Sequence, residues 1–91
     1  MNKRLHLIIH GKVQGVLFRD NTRKKAQSLG LTGWVKNNPD GTVEEMIEGE
    51  EDKLKDLLEF CKQSPESSQV DNLEEHWEDC KDEFTEFQIE F

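Results

Sequence analysis

Between His10 and Asp20 the chain reads HGKVQGVLFRD, and most of the residues that could do chemistry are gathered there. Gly11 and Gly15 free the backbone for conformations that a side chain would penalise, and let it approach a ligand closely. A strand-like pattern precedes this stretch and a helix-like one follows. Successive amide N–H groups can therefore turn inward as a nest and add to the partial positive charge of the helix start. Arg19 supplies a full charge on a planar guanidinium, which can grip two oxygens of a phosphate at once where a lysine cannot. Types and spacing together describe a cradle for a phosphate-sized anion. Each residue also has a plainer reading: the glycines as a bare connector, and Arg19 as a surface ion-pair partner of Asp20 or another acid.

The elements that must hold such a cradle follow from periodicity. Leu5, Leu7 and Ile9 alternate with His6, Ile8 and His10, which predicts a first strand over residues 3 to 10. From Asp20 to Leu29 there is no proline or glycine, and Gly30 follows, so a short helix is expected with Phe18, Thr22, Ala26 and Leu29 inward. LTGWVKNNPDGTVEEMIEG is a hairpin turning at Pro39, Asp40 and Gly41. Leu54, Leu57, Leu58 and Cys61 fall at the spacing of an amphipathic helix, with Glu50, Glu51 and Asp52 near its positive end. Residues 64 to 68 read as a loop. Leu73, Glu75 and Trp77, and later Phe87, Ile89 and Phe91, alternate as strands do.

This order predicts an α+β fold, a ferredoxin-like βαββαβ sandwich with both helices on one face and a short fifth strand. In it the first two strands run parallel, with the third antiparallel between them. The loop from Gly11 to Phe18 and the residues near Asn37 then share one edge of the sheet.

Bulk properties narrow the partners. The chain has 91 residues, is 33% hydrophobic and 35% charged, and carries a formal net charge of -8. That predicts a single soluble domain over residues 1–91, monomeric, with nucleic acid and anionic membranes disfavoured as partners. No apolar run is long enough to span a bilayer or serve as a signal peptide, so a cytoplasmic location is expected. Cys61 and Cys80 are too few for a disulfide framework and are expected as free thiols.

HGKVQGVLFR resembles the signature of the acylphosphatase family, G-x-V-Q-G-V-x-F-R, at every specified position from Gly11 to Arg19. GLTGWVKNNPDGTVE, from Gly30 to Glu44, resembles that family's second signature, and FTEFQIEF its closing strand. The resemblance runs from about residue 4 to the C-terminus. It implies hydrolysis of acyl phosphates, the mixed anhydrides of a carboxylic acid with phosphoric acid, to carboxylate and inorganic phosphate, with no metal and no cofactor. Position by position, it makes Arg19 the phosphate-binding arginine and Asn37 the residue orienting the attacking water. The backbone of Gln14, Gly15, Val16, Leu17 and Phe18 becomes the phosphate-binding loop. Asn37 taken alone is more simply a turn residue. Asp20 departs from the bulky or aromatic residue common there in the family. It could favour the helix N-terminus or compete for Arg19.

Two further readings stay open. One is a non-catalytic anion- or partner-binding module. The other is an excised carbamoyl-phosphate-acting domain of the larger maturation enzymes that carry such a domain. His76 and Cys80, four apart, would stand about 13 Å from each other on a strand, too far to share a metal ion. Arg23, Lys24 and Lys25 read as a solvated helix face that could also steer anions. His6 and His10 read as partly exposed strand residues, and the tryptophans and phenylalanines as core or sheet cover.

Overall fold

A computed structural model describes residues 1–15, 17–63 and 68–90. Val16 of the predicted loop, most of the 64 to 68 connector and Phe91 of the closing strand lie outside the described residues. The element order is β1 (Asn2–Lys12), α1 (Phe18–Ser28), β2 (Thr32–Asn37), β3 (Val43–Glu50), α2 (Glu51–Lys62), β4 (Gln69–Asp79) and β5 (Phe87–Glu90). The five strands form one sheet in the order β4-β1-β3-β2-β5. β3 is antiparallel to both β1 and β2, and β5 is parallel to β2. β1, β2 and β5 therefore all run toward the same edge. This is the ferredoxin-like sandwich with an added strand.

The alternation of β1 decides which face is covered. Leu5, Leu7 and Ile9 are fully buried and pair with Ile47, Glu45 and Val43 of β3. Helix spacing supplies the cover: Phe18, Thr22 and Ala26 from α1, and Leu54, Leu57, Leu58 and Cys61 from α2. Leu29 packs partly buried at the margin. α1 lies over β2 and β5, while α2 lies over β1 and β3. Area removed from water on this scale is the dominant favourable term in folding. No helix among the described residues is long and apolar enough to cross a membrane.

The other face is open. His6 pairs with Glu44 and His10 with Glu74, each at 2.7 Å, and the His6 ring stacks on His76. The aromatic residues divide more finely than alternation predicts. Phe18 and Phe87 are in the core, and Trp34 is half-buried on the open face under Lys36. Trp77, opposite Leu5, is 36% exposed. The reason is position in the sheet: β4 is an edge strand, and while Leu73 still packs against the core, Trp77 toward the strand's end stays partly in solvent. Its many acids suit an edge that must not pair with another chain.

From that edge the chain crosses to β5 at the opposite one. Glu48, buried beside Arg4, accepts the backbone N–H groups of Lys81 at 2.7 Å and Glu83 at 3.0 Å, which pins the crossing segment. β5 then docks beside β2, with Ile89 opposite Val35.

Gly11 proves to serve the sheet. The β1–β4 register shifts between His10 and Gly11, and Gly11 has φ 132°. A Cβ there would stand 2.1 Å from the carbonyl oxygen of Gln69, a backbone atom that cannot turn aside. Gly11→Ala is expected to lower the unfolding free energy by about 2 kcal/mol or more. A thermal melt would read this as a fall in Tm on the order of 10 °C. An unchanged midpoint would contradict this account.

Candidate active site

Among the described residues, the junction between β1 and α1 departs from regular backbone at Gly15 and Leu17. Gly15 has φ 73°, at no steric penalty, and Leu17 has φ 63°, at a penalty for any residue with a Cβ. Leu17 is also the N-cap of α1, where its side chain makes no capping hydrogen bond. Ser, Thr, Asp or Asn usually stands at such a position to satisfy the first amide N–H groups. A leucine side chain cannot do so, and the positive end of a helix is where an anion is favoured. Arg19 stands in the first turn of α1.

The loop is fastened to the β2–β3 turn by one side chain. Gln14 Nε2 donates to the carbonyl oxygens of Asn38 at 2.8 Å and Thr42 at 2.9 Å. That turn is itself stiffened: Asp40 Oδ1 accepts from the Thr42 N–H at 3.0 Å and the Thr42 hydroxyl at 2.7 Å, and Asn38 donates to the same hydroxyl. The hydroxyl hydrogen bond from Thr42, then the backbone one, hold the Asp40 carboxyl below its ordinary range. A glutamine read in the sequence only as a loop residue is thus the clamp between the two halves of the candidate site. Nothing in its spacing distinguishes it, because its partners are carbonyl groups more than twenty residues away.

Asn37 is not a turn residue. It closes β2, paired with Val43, and the turn's backbone hydrogen bonds belong to Asn38 and Gly41. It shares the helix-covered side with Val35 and Val43, half-buried. Its Oδ1 is shielded from solvent and accepts no hydrogen bond among the described residues. Arg19 and Asn37 accordingly stand at one edge of the sheet, where β1, β2 and β5 end. Asn37 does not line the main cleft there. That cleft, about 240 Å³, takes Gly15, Arg19 and Asp20 on its polar side. Its apolar side is Val13, Leu17, Phe18 and Ile89.

Asp20 turns to its own helix. It pairs with Lys24 at 3.1 Å and with Arg23, and these hydrogen bonds, that of Lys24 first, hold its carboxyl below the ordinary range. These pairs engage Asp20 on its own helix. They also reduce the steering available from the basic cluster, since two of its three charges face Asp20 and Lys25 lies over the Phe60 ring. Among the described residues, no three His, Cys, Asp or Glu side chains are placed to hold a metal ion. His76 stacks on His6, while the Cys80 thiol donates to Asp82. Both cysteines are free.

The fold is thus a ferredoxin-like sandwich whose first strand-to-helix junction carries a glycine-containing turn without a side-chain cap and an arginine in the turn that follows. Comparison with known proteins narrows the class. The acylphosphatase family model matches residues 5–89, and the chain belongs to the acylphosphatase family, making it a hydrolase of acid anhydrides. It is similar to acylphosphatase from Pelotomaculum thermopropionicum, 44% identical over 88 residues that cover 97% of this chain and 96% of that protein. It is likewise similar to acylphosphatase from Marinobacter nauticus, 50% identical over 92% of this chain and 91% of that one. The crystal structure of acylphosphatase from Bacillus subtilis matches with a TM-score of 0.92 at 34% identity, covering 98% of this chain and 99% of the other.

Proposed function

We propose that this chain hydrolyses acyl phosphates as a monomer, without a metal, using Arg19, the N–H groups of the loop from Gln14 to Phe18, and Asn37. The loop amides and the Arg19 guanidinium hold the oxygens of the phosphoryl group and neutralise its charge. Asn37 Oδ1 accepts a hydrogen bond from a water and lines it up behind phosphorus. Water oxygen bonds to phosphorus as the P–O bond to the acyl group breaks. The carboxylate departs with the bonding electrons, and the water's proton passes to a phosphate oxygen. A carboxylate is a good leaving group, so no general acid is required, and positioned donors supply what the transition state still lacks.

The observation that carries this reading is the Gln14 clamp, which holds the anion loop against the residue following Asn37. Monomeric behaviour is supported by the net charge of -8.

Hydrolysis of benzoyl phosphate in the presence of EDTA tests the proposal. The wild type is expected to turn over undiminished by the chelator. Asn37→Ala is expected to lower kcat by about 10²-fold with little change in KM, because water alignment matters only on the way to the transition state. Loss of turnover on chelation, or an Asn37→Ala variant as fast as wild type, would refute it.

A further inference from the structure

The apolar half of the cleft is unused by the chemistry above. Val13 and Phe18, both buried, line it together with the exposed Leu17 and the half-buried Ile89. We propose that this wall is the subsite for the acyl group, and that Leu17 and Ile89 select acyl phosphates whose acyl group is uncharged and apolar. The inference rests on the reading that the loop and Arg19 hold the phosphoryl end.

Connectivity is the first ground. An acyl carbon is one oxygen away from phosphorus, so the acyl group must lie within a few ångströms of whatever holds the phosphate. The cleft that Gly15 and Arg19 line is lined as well by the aliphatic and aromatic carbon of Val13, Leu17, Phe18 and Ile89. Its charged lining among the described residues is Arg19, assigned to the phosphoryl group, and Asp20. A carboxylate carried by the acyl group would lose water against the wall without gaining a partner, since Arg19 is assigned to the phosphoryl group.

Leu17 is the second ground. It holds a left-handed backbone, it fails to cap the helix it begins, and its side chain is 72% exposed. Glycine would relieve the backbone, and asparagine would also cap the helix. A residue that serves the fold poorly in three respects points to a use outside the fold, and its position on the cleft makes that use contact with a ligand. Ile89 enters from a different element, because the parallel pairing of β5 with β2 sets it opposite Val35 at the cleft. Two separate segments therefore meet around one apolar space.

The test is a set of ratios of kcat/KM for benzoyl, acetyl and succinyl phosphates, each measured on one sample. Such ratios do not depend on how much of a variant is folded, so destabilisation from Ile89→Ala cancels. The wild type is expected to favour benzoyl over succinyl phosphate by about 10-fold or more. Ile89→Ala and Leu17→Asn should each lower the benzoyl-to-acetyl ratio by about 3- to 10-fold. Leu17→Asn keeps a residue tolerant of the left-handed backbone, and any effect of its capping the helix on the shared phosphoryl end cancels in the ratio. Ile89→Lys should raise the succinyl-to-benzoyl ratio by about 10-fold. Ratios unmoved in all three variants, or a wild type that prefers succinyl phosphate, would overturn the subsite while leaving the phosphoryl cradle standing. A wild type that hydrolyses none of the three would overturn the cradle reading itself, and this inference with it.

Discussion

Arg19→Gln is expected to lower kcat/KM for benzoyl phosphate by about 10³-fold or more, equivalent to about 4 kcal/mol of transition-state stabilisation. Glutamine keeps much of the side chain's length and hydrogen-bonding capacity, so what it removes is the full positive charge and the two-pronged grip. In phosphoryl transfer charge is spread over the equatorial oxygens, and positioned cations are the main source of catalysis. Arg19→Lys separates the two contributions: it restores the charge without the fork, and should recover only about one of the lost factors of ten. Inorganic phosphate, binding as product, should weaken as a competitive inhibitor in both variants. Thermal melts establish that the variants are folded. A folded Arg19→Gln protein within tenfold of wild-type kcat/KM would remove Arg19 from the mechanism.

The reason so few groups can suffice lies in the substrate. A mixed anhydride already carries a leaving group stable as an anion, so the protein has to supply position and charge, with little proton transfer. That fits the proposed site of one guanidinium, backbone amides and a carboxamide. It also fits the rigidity seen around the site, with Gln14, Asn38, Asp40 and Thr42 tied into one hydrogen-bonded corner. Groups preorganised in this way lose little freedom when the transition state forms.

The sheet and helices were legible because their signals are local and periodic. The period of two in residues 5 to 9 and the spacing of Leu54, Leu57, Leu58 and Cys61 each point a face inward with no help from elsewhere. The sharing of one edge by Arg19 and Asn37 followed from topology alone. What stayed hidden depends on pairing between distant segments. Gln14 gained its role from two carbonyl groups in the β2–β3 turn, and Ile89 joined the cleft only through the parallel docking of β5. Gly11 was read as freedom to approach a ligand, yet the neighbour that demands it is the backbone of β4. Trp77 kept the inward phase of its strand but lay past the helices' reach. Glu45 is the sharpest case. It occupies an inward position between Val43 and Ile47, so phase alone placed a carboxyl in the core, while the composition of the strand gave no reason to expect it there.

Glu45 supplies the second large effect, a loss of stability as pH rises through neutrality. Its side chain is fully buried, Oε2 receives only a long hydrogen bond of 3.7 Å from the Cys61 thiol, and Oε1 has no partner among the described residues. Burial pushes its pKa up to about 8 from an ordinary 4.5. Between those two values the folded protein retains a proton that the unfolded chain has released. The folded state binds more protons there, so stability falls with rising pH, at about 1.4 kcal/mol per pH unit for one proton. The full loss approaches 4 to 5 kcal/mol across the window, and above it the group titrates alike in both states and adds no further slope. Glu45→Met removes the titration and leaves a flexible apolar chain of similar size in a dry site. The difference in unfolding free energy between variant and wild type should therefore grow in favour of the variant by about 3 kcal/mol from pH 5.5 to pH 7.5. Titrations shared by both proteins cancel in that difference. Urea unfolding at the two pH values measures it. Parallel stability curves for the two proteins would mean that Glu45 is ionised in the folded state, and hence that its side chain reaches water or a cation.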